Sequence, residues 1–596
     1  MTTQDGIDRN LRQPDAAEET SPAPPPSSSR RKFLSNVSGG AAIALTASST
    51  GLTSLLETEA AAAAHDDDEI GLQRLKSSRI DDARQLRIDA ARAMAREGMP
   101  IHPNNGDEER YSDKIGNYSK GLRHNANGEV DPRAYAAYLN AVERGRFADF
   151  ESLATRGHMG CADPTRQRRL VSPMSGYAFD LEGLDPHQFS MRPAPAFSSA
   201  EEAGEMVELY WMSLLRDVDF LDYERHPLAR QAAADLSRLS DFRGPKQNNR
   251  VTPQTLFRDN FPGCTVGPYV SQFLLKDCPF GAQVVDQRIR TAQAETDFMT
   301  DFQSWLDVQN GHQPTQTLLL DEPRYCRNGR DIGQYVHVDA LYQAYFVAGL
   351  VLMGNGMPWD RNNPYGQTPE PGSGLPLPPG VPGSLAQVGF TTFGGPHILA
   401  LLTEVSTRAL KSMWFHKWLV HRRLRPEEFG GRVEVVRRKL ERYPIHSDLF
   451  RSQALDRVFS NFGSYLLPMA FPEGSPLHTS YGSGHSSVAG ACVTILKAWF
   501  DESAVIPDPV VPNSDGSGLI PYEGPELTVG GELNKIASNV AQGRNIAGVH
   551  WRTDAGEAIK LGEAAAISVL RDQRPTYREP FRGFTLTKFD GTTITI

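Results

Sequence analysis

The stretch Ser475–Phe500, with the sequence SPLHTSYGSGHSSVAGACVTILKAWF, contains a glycine-rich turn that leads into a helix. Gly482 and Gly484 flank Ser483, His485 follows at once, and apolar residues then recur at helical spacing. Such a turn presents free backbone N–H groups, a hydroxyl and an imidazole at the positive end of a helix dipole, which favours a tetrahedral oxyanion. The same residues also suit an ordinary turn with Ser483 as the helix N-cap, and the tripeptide alone leaves this alternative open.

Two other segments add positive charge to this turn. Upstream, Lys417 and Arg425 are about two helical turns apart, so we expect both on one face of a helix that Pro426 ends. Downstream, Arg544 and His550 do not share a face of a straight helix, and they converge only if the chain turns between them. Together with the glycine-rich turn, these cations and histidines predict a site for a phosphate-shaped anion.

This combination resembles the vanadium-dependent haloperoxidases, which share their site with the acid and lipid phosphatases of the same superfamily. The likeness rests on residue types in matching order and spacing, namely Lys417, Arg425-Pro426, Ser483-Gly484-His485, Arg544 and His550. A further stretch, residues 192–217, resembles the N-terminal half of the algal and cyanobacterial bromoperoxidase branch. The resemblance implies an all-α fold, mainly of helical bundles, with the haloperoxidase/acid phosphatase core in the C-terminal half. Asp590-Gly591, between residues 581–589 and 592–596, predicts a short C-terminal β-hairpin.

The resemblance also implies vanadate as the cofactor and assigns a role to each site residue. The groups that would hold the vanadate oxygens are Lys417, Arg425, Ser483, Gly484 and Arg544. His550 would be the protein ligand of the metal, and His485 would lie beside the opposite oxygen as the acid–base group. Lys417 would also help to activate hydrogen peroxide.

The halide is expected to depend on His478, seven residues before His485. In the family, bromoperoxidases have histidine at this position and fungal chloroperoxidases have phenylalanine. We therefore expect oxidation of bromide and iodide by hydrogen peroxide to hypohalous acid, which halogenates small organic acceptors, with slow or absent chloride oxidation at neutral pH. Trp414 is the second position of interest, and a core aromatic is its alternative interpretation.

Two other functions use the same residues. A soluble exported acid phosphatase would use His550 as the nucleophile, through a phosphohistidine, and His485 to protonate the leaving group. A scavenging anion-binding protein would need only the cations, so the two histidines are more than such a protein requires. The large N-terminal helical half, the absence of a predicted membrane span and the histidine at 478 favour the peroxidase.

Composition narrows the classes of partner. The chain has 596 residues, 39% of them hydrophobic, and a formal net charge of -10 with no basic stripe, so nucleic acid is not expected as a partner. The longest apolar run, residues 345–353, is far below the roughly 20 residues that a membrane-spanning helix needs. The bromoperoxidase branch includes dodecamers, so the resemblance implies a homo-oligomer and, as the specific form, a dodecamer.

The pattern of helices and loops predicts four regions. They are a leader (1–64), an N-terminal helical region (65–385), a vanadate-binding helical core (386–580) and a C-terminal hairpin (581–596). In the leader, Ser29-Arg30-Arg31-Lys32-Phe33-Leu34 precedes a mild apolar run, which resembles a twin-arginine export signal and predicts a periplasmic or extracellular protein. A disordered basic tail is the alternative for this segment.

Several local features complete the expectations. Continuous helices are predicted over residues 134–154, 292–308, 335–353 and 394–425. In the Pro/Gly-rich loop of residues 354–383, Asp360 and Asn362 are candidate ligands of a structural divalent cation, with a polar turn as the alternative. Asp554 and Glu557 are expected to form a capping box at the start of the last helix, and a supporting contact between Asp554 and His550 is left open.

Overall fold

The structure is a computed structural model that describes residues 66–366, 384 and 386–596. The chain divides into two units, Met1–Ala83 and Arg84–Ile596, and the described part of the first unit is helical. The expected leader and residues 367–383 of the Pro/Gly-rich loop lie outside the described residues. The predicted boundaries at residues 64 and 385 fall beside these segments and stay predictions.

Helices dominate the described residues. The α-helices in chain order are α1 (Asp66–Glu97), α2 (Asp107–Arg110), α3 (Pro132–Arg144), α4 (Phe147–Thr155), α5 (Ala200–Leu214), α6 (Pro227–Leu236), α7 (Phe302–Gln309), α8 (Gly329–Val338), α9 (Gln343–Gly354), α10 (Gly395–Phe415), α11 (Pro426–Arg437), α12 (Ser447–Phe450), α13 (Gln453–Phe462), α14 (Gly484–Trp499), α15 (Val529–Ile546) and α16 (Arg552–Gln573). Short 3₁₀ turns lie at Pro173–Tyr177, Pro186–Gln188, Phe220–Asp222, Gln272–Leu274 and Arg574–Thr576, and a π-helical turn at His416–His421.

The strands are short and form antiparallel pairs. They are β1 (Cys278–Phe280) with β2 (Gln283–Val285), β3 (Ile289–Ala292) with β4 (Leu320–Arg324), β5 (Val510–Pro512) with β6 (Leu519–Pro521), and β7 (Thr585–Thr587) with β8 (Thr593–Thr595). In the last pair Thr585 lies opposite Thr595, and Gly591 in the connection has φ 85°. The mainly helical fold and the C-terminal hairpin are confirmed.

Helix α14 is the centre of the core around the site. Every residue of α14 is buried except His485, and α14 packs most extensively against α16, then α10 and α15. Two glycines permit the closest approach of α14 and α16. A Cβ on Gly490 would lie 1.9 Å from the carbonyl oxygen of Ile559, and a Cβ on Gly562 would lie 1.9 Å from that of Ser487. The two backbones therefore touch where only glycine fits.

Three of the predicted helices are shorter or divided in the structure. Residues 134–154 form α3 and α4, which are separated at Gly145 in a left-handed conformation (φ 62°). Residues 335–353 fall on α8 and α9, whose axes are bent by 102°. Of residues 292–308, only those from Phe302 onward are helical, because the segment begins at the end of β3, which pairs with β4.

Pro426 begins a helix instead of ending one, which corrects the prediction. After α10 and the π-helical turn, Arg422 takes a left-handed conformation (φ 42°) and turns the chain away. Arg425 is the N-cap of α11 and Pro426 is its first residue, where a missing N–H breaks no helical hydrogen bond. Lys417 and Arg425 are therefore not on one helix, and the turn between them brings them together.

Other expectations concern membranes and cations. No single helix among the described residues is long and apolar enough to cross a membrane, although the bent pair α8–α9 passes by length and composition. The backbone N–H of Asn362 donates to Asp360 Oδ1 at 2.9 Å, and the Asn362 amide donates to Thr585, which agrees with a polar turn. In the described part of the chain, no group of three His, Cys, Asp or Glu side chains is placed to hold a metal ion.

Candidate active site

The start of α14 presents donors for an anion. Ser483 is the N-cap, and its Oγ accepts from the N–H of Ser486 at 3.3 Å while its own N–H donates to the Asp554 carbonyl at 3.0 Å. Within the described residues, the N–H groups of Gly484 and His485 have no hydrogen-bond partner. Ser483 is thus both a helix cap and a hydroxyl that still has its hydrogen to donate.

Three buried cations surround this turn. Lys417 and Arg425 are 0% exposed and Arg544 is 6% exposed. Lys417 Nζ donates to the carbonyl oxygens of Thr479 and Ser480, each at 2.8 Å. Burial lowers the pKa of Lys417 well below its ordinary value, helped by the charge of Arg425, and burial lowers the pKa of Arg544 to about 10. Positive charge buried in this way is costly unless an anion compensates it.

The two arginines of the site are held by main-chain oxygens. Arg425 Nη1 donates to the carbonyl of Val549 at 2.7 Å, and Arg544 Nη1 donates to that of Val336 at 2.6 Å. Arg544 Nε is buried and has no hydrogen-bond partner in the part of the chain that the structure describes. Among the described residues, no carboxylate oxygen lies within 4.0 Å of a side-chain nitrogen of Arg425, Arg544 or Lys417. The site therefore has donors and positive charge in excess of what the protein itself uses.

His550 is held as a neutral imidazole. Its Nδ1 lies 2.9 Å from Asp554 Oδ2, and its Nε2 lies 3.1 Å from Arg425 Nη1. Because a guanidinium only donates, we assign the proton to Nδ1 and the lone pair to Nε2. Burial, with the charges of Arg425 and Lys417, lowers the pKa of His550 well below its ordinary value. A neutral imidazole whose other nitrogen bonds a carboxylate is the form that coordinates a metal.

His485 has a carboxylate partner that the sequence did not indicate. His485 Nε2 lies 2.9 Å from Oδ1 of Asp339, the residue that ends α8. Burial lowers the pKa of His485, and the charge of Asp339 opposes this shift. Burial alone would raise the pKa of Asp339, but the charges of His485 and Arg544 bring it below its ordinary value. Asp339 thus orients the ring and stabilises it when it takes a proton.

His478 and Trp414 form the third side of the site. Arg425 Nη2 lies 2.8 Å from Nδ1 of His478, and burial together with the charge of Arg425 lowers the pKa of His478 well below its ordinary value. The His478 ring centroid is 4.9 Å from that of Trp414 and 6.5 Å from that of His550. Trp414 is half-buried and its indole N–H donates to the carbonyl of Val171, and it both packs against the hydrophobic core and lines the cavity.

These groups meet at one cavity of about 290 Å³. Its inner wall is formed by the predicted site residues His478, Gly484, His485, Arg544 and His550. It is also lined by the buried Phe471 and by the partly exposed residues Arg168, His337, Leu341, Trp414 and Glu473, which form its mouth. Lys417, Arg425 and Ser483 are fully buried behind this lining. The structure therefore brings all eight predicted site residues to one place, together with mouth residues that the sequence analysis did not single out.

A second network of buried charges lies behind His550. Arg423 donates to Asp554 Oδ1 at 2.8 Å, to Glu205 at 2.9 Å and to Glu202. Both glutamates belong to α5, within the stretch that resembles the bromoperoxidase branch. This network fixes the carboxylate of Asp554, which in turn bonds His550. Residues 192–217, which resemble the bromoperoxidase branch, therefore support the site although they lie far from it in sequence.

The role of Asp554 differs from the prediction. Trp551 is the N-cap of α16 and Asp554 is the third helical residue, whose Oδ2 accepts from the Trp551 N–H at 3.3 Å. The expected capping box with Glu557 is therefore wrong, whereas the contact with His550 is present. The four-residue spacing of His550 and Asp554 was the signal for this contact, while Asp339 and Glu473 gave none, because each meets its histidine across a long stretch of chain.

Comparison with known proteins agrees with this geometry. A family model described as the VCPO second helical-bundle domain matches residues 433–577. The vanadium-dependent bromoperoxidase of Corallina pilulifera is 36% identical over 559 residues, which cover 81% of this chain and 91% of that protein. That of Ascophyllum nodosum is 33% identical over 533 residues, which cover 85% and 92%.

A solved structure extends the match from sequence to fold. The homohexameric structure of the second vanadate-dependent bromoperoxidase (AnII) from Ascophyllum nodosum has a TM-score of 0.79 and 30% sequence identity, and the match covers 90% of this chain and 93% of that one. Sequence and fold thus agree over most of the length, from the α5 glutamates to the histidines of the cavity. The chain belongs to the family of vanadium-dependent bromoperoxidases.

Proposed function

We propose that this chain uses vanadate to oxidise bromide and iodide with hydrogen peroxide, giving hypohalous acid that halogenates small organic acceptors. The observation that carries the proposal is the excess of buried positive charge around a neutral His550. The curated relatives are vanadium-dependent bromoperoxidases by name, which supports the same activity here.

Orthovanadate, VO₄³⁻, fits the residues in charge and in donors. Three cations, Lys417, Arg425 and Arg544, would balance its charge, and the Ser483 hydroxyl and the Gly484 N–H would bind its oxygens. The unpartnered Arg544 Nε is a further donor, and the lone pair on His550 Nε2 would bind the metal. When bound, vanadate supplies a Lewis acid that activates hydrogen peroxide without changing its own oxidation state.

The side chains of the site divide the remaining work. His485, with Nε2 bonded to Asp339, takes a proton from hydrogen peroxide at its other nitrogen and returns it as the reaction proceeds. With the anion bound, Lys417 would carry an ammonium charge, fixed by two carbonyls, that withdraws negative charge from the anion. Because these groups are buried, each electrostatic interaction is stronger than it would be in water.

The direct test is bromination of a phenol-red-type dye with peroxide and bromide by the apo-protein, before and after vanadate is added. We expect activity only with vanadate. Phosphate, which has the same shape, should delay activation when it is added first, and sulfonate buffer of equal ionic strength is the matched control. Bromination that does not depend on vanadate would contradict the proposal.

An acid phosphatase is the second candidate, because the same anion site serves both reactions. In that case His550 would be phosphorylated and His485 would protonate the leaving group. The phosphatase is not favoured, because the relatives that match most of the chain are named as bromoperoxidases. Turnover of p-nitrophenyl phosphate without any bromination would establish it. A protein that only scavenges anions would not need the His485–Asp339 pair.

Assembly is part of the proposal. We propose a homo-oligomer, because the Ascophyllum nodosum relative of known structure is homohexameric. A dodecamer stays the more specific prediction. Sedimentation in mild buffer measures the number of subunits, and a monomer would contradict both.

Export and a structural cation stay predictions. We propose export by the twin-arginine pathway to the periplasm or outside the cell, on the basis of Arg30-Arg31 in the leader. Replacing both arginines by lysine should retain the protein in the cytoplasm, and unchanged export would contradict this. A divalent cation bound by Asp360 and Asn362 is tested by elemental analysis of the purified protein and of an Asp360→Ala variant.

A further inference from the structure

The cavity mouth contains a carboxylate that the proposed reaction does not need. Glu473 is the one acidic side chain among the described residues that line the cavity. Its Oε1 lies 2.6 Å from His337 Nε2. A carboxylate at the mouth repels an incoming anion and lowers the anion's concentration near the site. In a cavity that must admit bromide, its presence calls for an explanation.

His337 is fixed at the mouth by an aromatic contact. Its ring stacks on Phe471, with centroids 3.7 Å apart and planes 7° apart. The guanidinium of Arg544 lies 5.8 Å from the centroid of the same Phe471 ring. The side chains of His337 and Glu473 are 20% and 27% exposed, so the pair meets solvent as well as the cavity. Both side chains line the cavity that bromide would enter.

The charges around the pair keep Glu473 ionised. Burial raises the pKa of Glu473, but its hydrogen bond to His337 and the charges of His337 and Arg168 bring the pKa below its ordinary value. Arg168 donates to the main-chain carbonyl of Glu473 at 2.8 Å, and the buried Lys120 donates to the same carbonyl at 3.0 Å. These two cations hold the loop in place, while the carboxylate itself bonds only His337 within the described residues.

Other charges near His337 belong to the site. Asp339, two residues further along the chain, bonds His485, and Arg544 lies beyond the shared Phe471 ring. Asp339 is paired with His485, and Arg544 keeps its positive charge as one of the inner cations. The net charge of the mouth therefore changes with two side chains, Glu473 and His337.

We propose that Glu473 and His337 set the halide affinity of the cavity, with Glu473 opposing the anion and protonated His337 cancelling that opposition. This inference rests on the proposed function. When His337 carries a proton, the pair has no net charge and the inner cations attract bromide undiminished. When His337 is neutral, the pair carries one negative charge. Hydrogen peroxide is neutral, so its access does not follow this change.

The stoichiometry of the reaction gives this arrangement a use. Hydrogen peroxide, bromide and one proton give hypobromous acid and water, so bromide and a proton are consumed together. If bromide enters best when His337 is protonated, the cavity binds bromide most strongly under the conditions in which protons for the reaction are available.

Three variants separate the charges at the mouth. Glu473→Gln keeps the size and a hydrogen bond to His337, and His337→Phe keeps the ring that stacks on Phe471. The double variant has neither charge. As a matched control, His187→Phe removes a similar pair, in which His187 Nδ1 lies 2.5 Å from Asp185 Oδ2, outside the cavity lining.

The expected effects follow from the net charge. Glu473→Gln should lower the KM for bromide by roughly three- to tenfold at any pH between about 5.5 and 8. His337→Phe should raise it by a similar factor at acidic pH, where it removes a positive charge, and leave it unchanged at alkaline pH, where the imidazole carries no proton. The double variant should match the unmodified protein at low pH and bind bromide more tightly at high pH. The KM for hydrogen peroxide should follow none of these changes, and His187→Phe should alter neither KM.

A second measurement does not depend on halide oxidation. Binding of inorganic phosphate to the apo-protein, followed by stopped-flow tryptophan fluorescence, should be faster in Glu473→Gln and slower in His337→Phe at low pH, and added salt should shrink both differences. If the phosphate rates follow this order but no variant brominates, the proposed function fails and the role of the mouth stands. If bromination occurs and neither the KM values nor the phosphate rates follow the net charge, the inference is overturned.

Discussion

Arg423 and Arg425 are neighbours in sequence and equally buried, yet their electrostatic surroundings are opposite. Arg423 is 1% exposed and contacts three carboxylates, whose charges outweigh burial and raise its pKa above the ordinary value. Arg425 is 0% exposed, contacts carbonyl oxygens and imidazole nitrogens, and burial lowers its pKa. A buried arginine can thus belong to the scaffold or to a binding site.

The same contrast divides the centre of the molecule into two regions. Behind His550, the paired region has its charges balanced by Glu202, Glu205 and Asp554. In front of it, the unpaired region contains Lys417, Arg425 and Arg544, which have no carboxylate partner among the described residues. Burial of a charged side chain does not by itself indicate function. Buried positive charges without carboxylate partners, in contrast, indicate a binding site for an anion.

The largest effect is expected at His550, which contacts both regions. His550→Ala should reduce bromination to background, because the proposed metal ligand is lost while the cations remain. His485→Ala should cripple turnover and still bind vanadate, though more weakly, as measured by equilibrium dialysis. Full bromination by His485→Ala would show that its acid–base role is wrong.

The second prediction sets the two arginines against each other in the apo-protein. Arg423→Met should lower the free energy of unfolding by about 3–5 kcal/mol, because it leaves buried carboxylates uncompensated. Arg425→Met should leave it unchanged or raise it, since it removes a buried charge that has no carboxylate partner.

Urea unfolding of both variants in phosphate-free buffer measures the difference. Adding phosphate should then stabilise the unmodified protein and Arg423→Met more than Arg425→Met, because the last has lost a cation of the anion site. Equal destabilisation by the two substitutions would remove the distinction between the regions.

The third prediction concerns pH. Burial, with neighbouring positive charges, lowers the folded-state pKa of His478 and His550 below the ordinary value. Below about pH 6.5 the two histidines bind protons in the unfolded chain but stay neutral in the folded protein. The free energy of unfolding is therefore highest above this pH and falls as the pH drops. We expect a loss of about 1 kcal/mol per pH unit for each such histidine. Unfolding midpoints of the apo-protein between about pH 7.5 and 5.5 measure it, and a flat profile would contradict it.

The smallest effect is expected at His478, at the edge of the unpaired region. His478→Phe removes an acceptor of Arg425 and leaves a less polar pocket. We expect bromide turnover to fall a few fold or its pH optimum to shift, and the ratio of chloride to bromide oxidation to rise. Efficient chlorination at neutral pH by the unmodified protein would show that His478 does not discriminate, and Trp414 would be the next position to test.

Sequence reasoning was most successful where chemistry is encoded locally. The turn before α14 and the hairpin at Asp590-Gly591 follow from glycine positions. The convergence of Arg544 and His550 required a turn between them, and Gly548 provides it with φ 86°. The meeting of Lys417 and Arg425 was predicted for the wrong reason, because the helix ends between them.

Partners that come from distant parts of the chain could not be predicted. Asp339 lies at a bend within a predicted continuous helix, and no glycine or proline between α8 and α9 announces the break. Glu202 meets Arg423 across 221 residues, and Glu473 meets His337 across 136. Periodicity and spacing describe neighbours along a helix, whereas these pairs exist only once the helices have packed.

The glycine contact between α14 and α16 acts on catalysis at a distance. His485 is the second residue of α14, and His550 lies two residues before the start of α16. Gly490 and Gly562 form the contact between the two helices further along. A methyl group at either glycine would have to push the helices apart, and the separation of the two histidines would grow with it. A displacement of about 1 Å can lower the rate a hundredfold. Gly562→Ala should therefore slow turnover although it changes no residue of the cavity. Substitutions meant to change the range of substrates are better placed at the cavity mouth than along these helices.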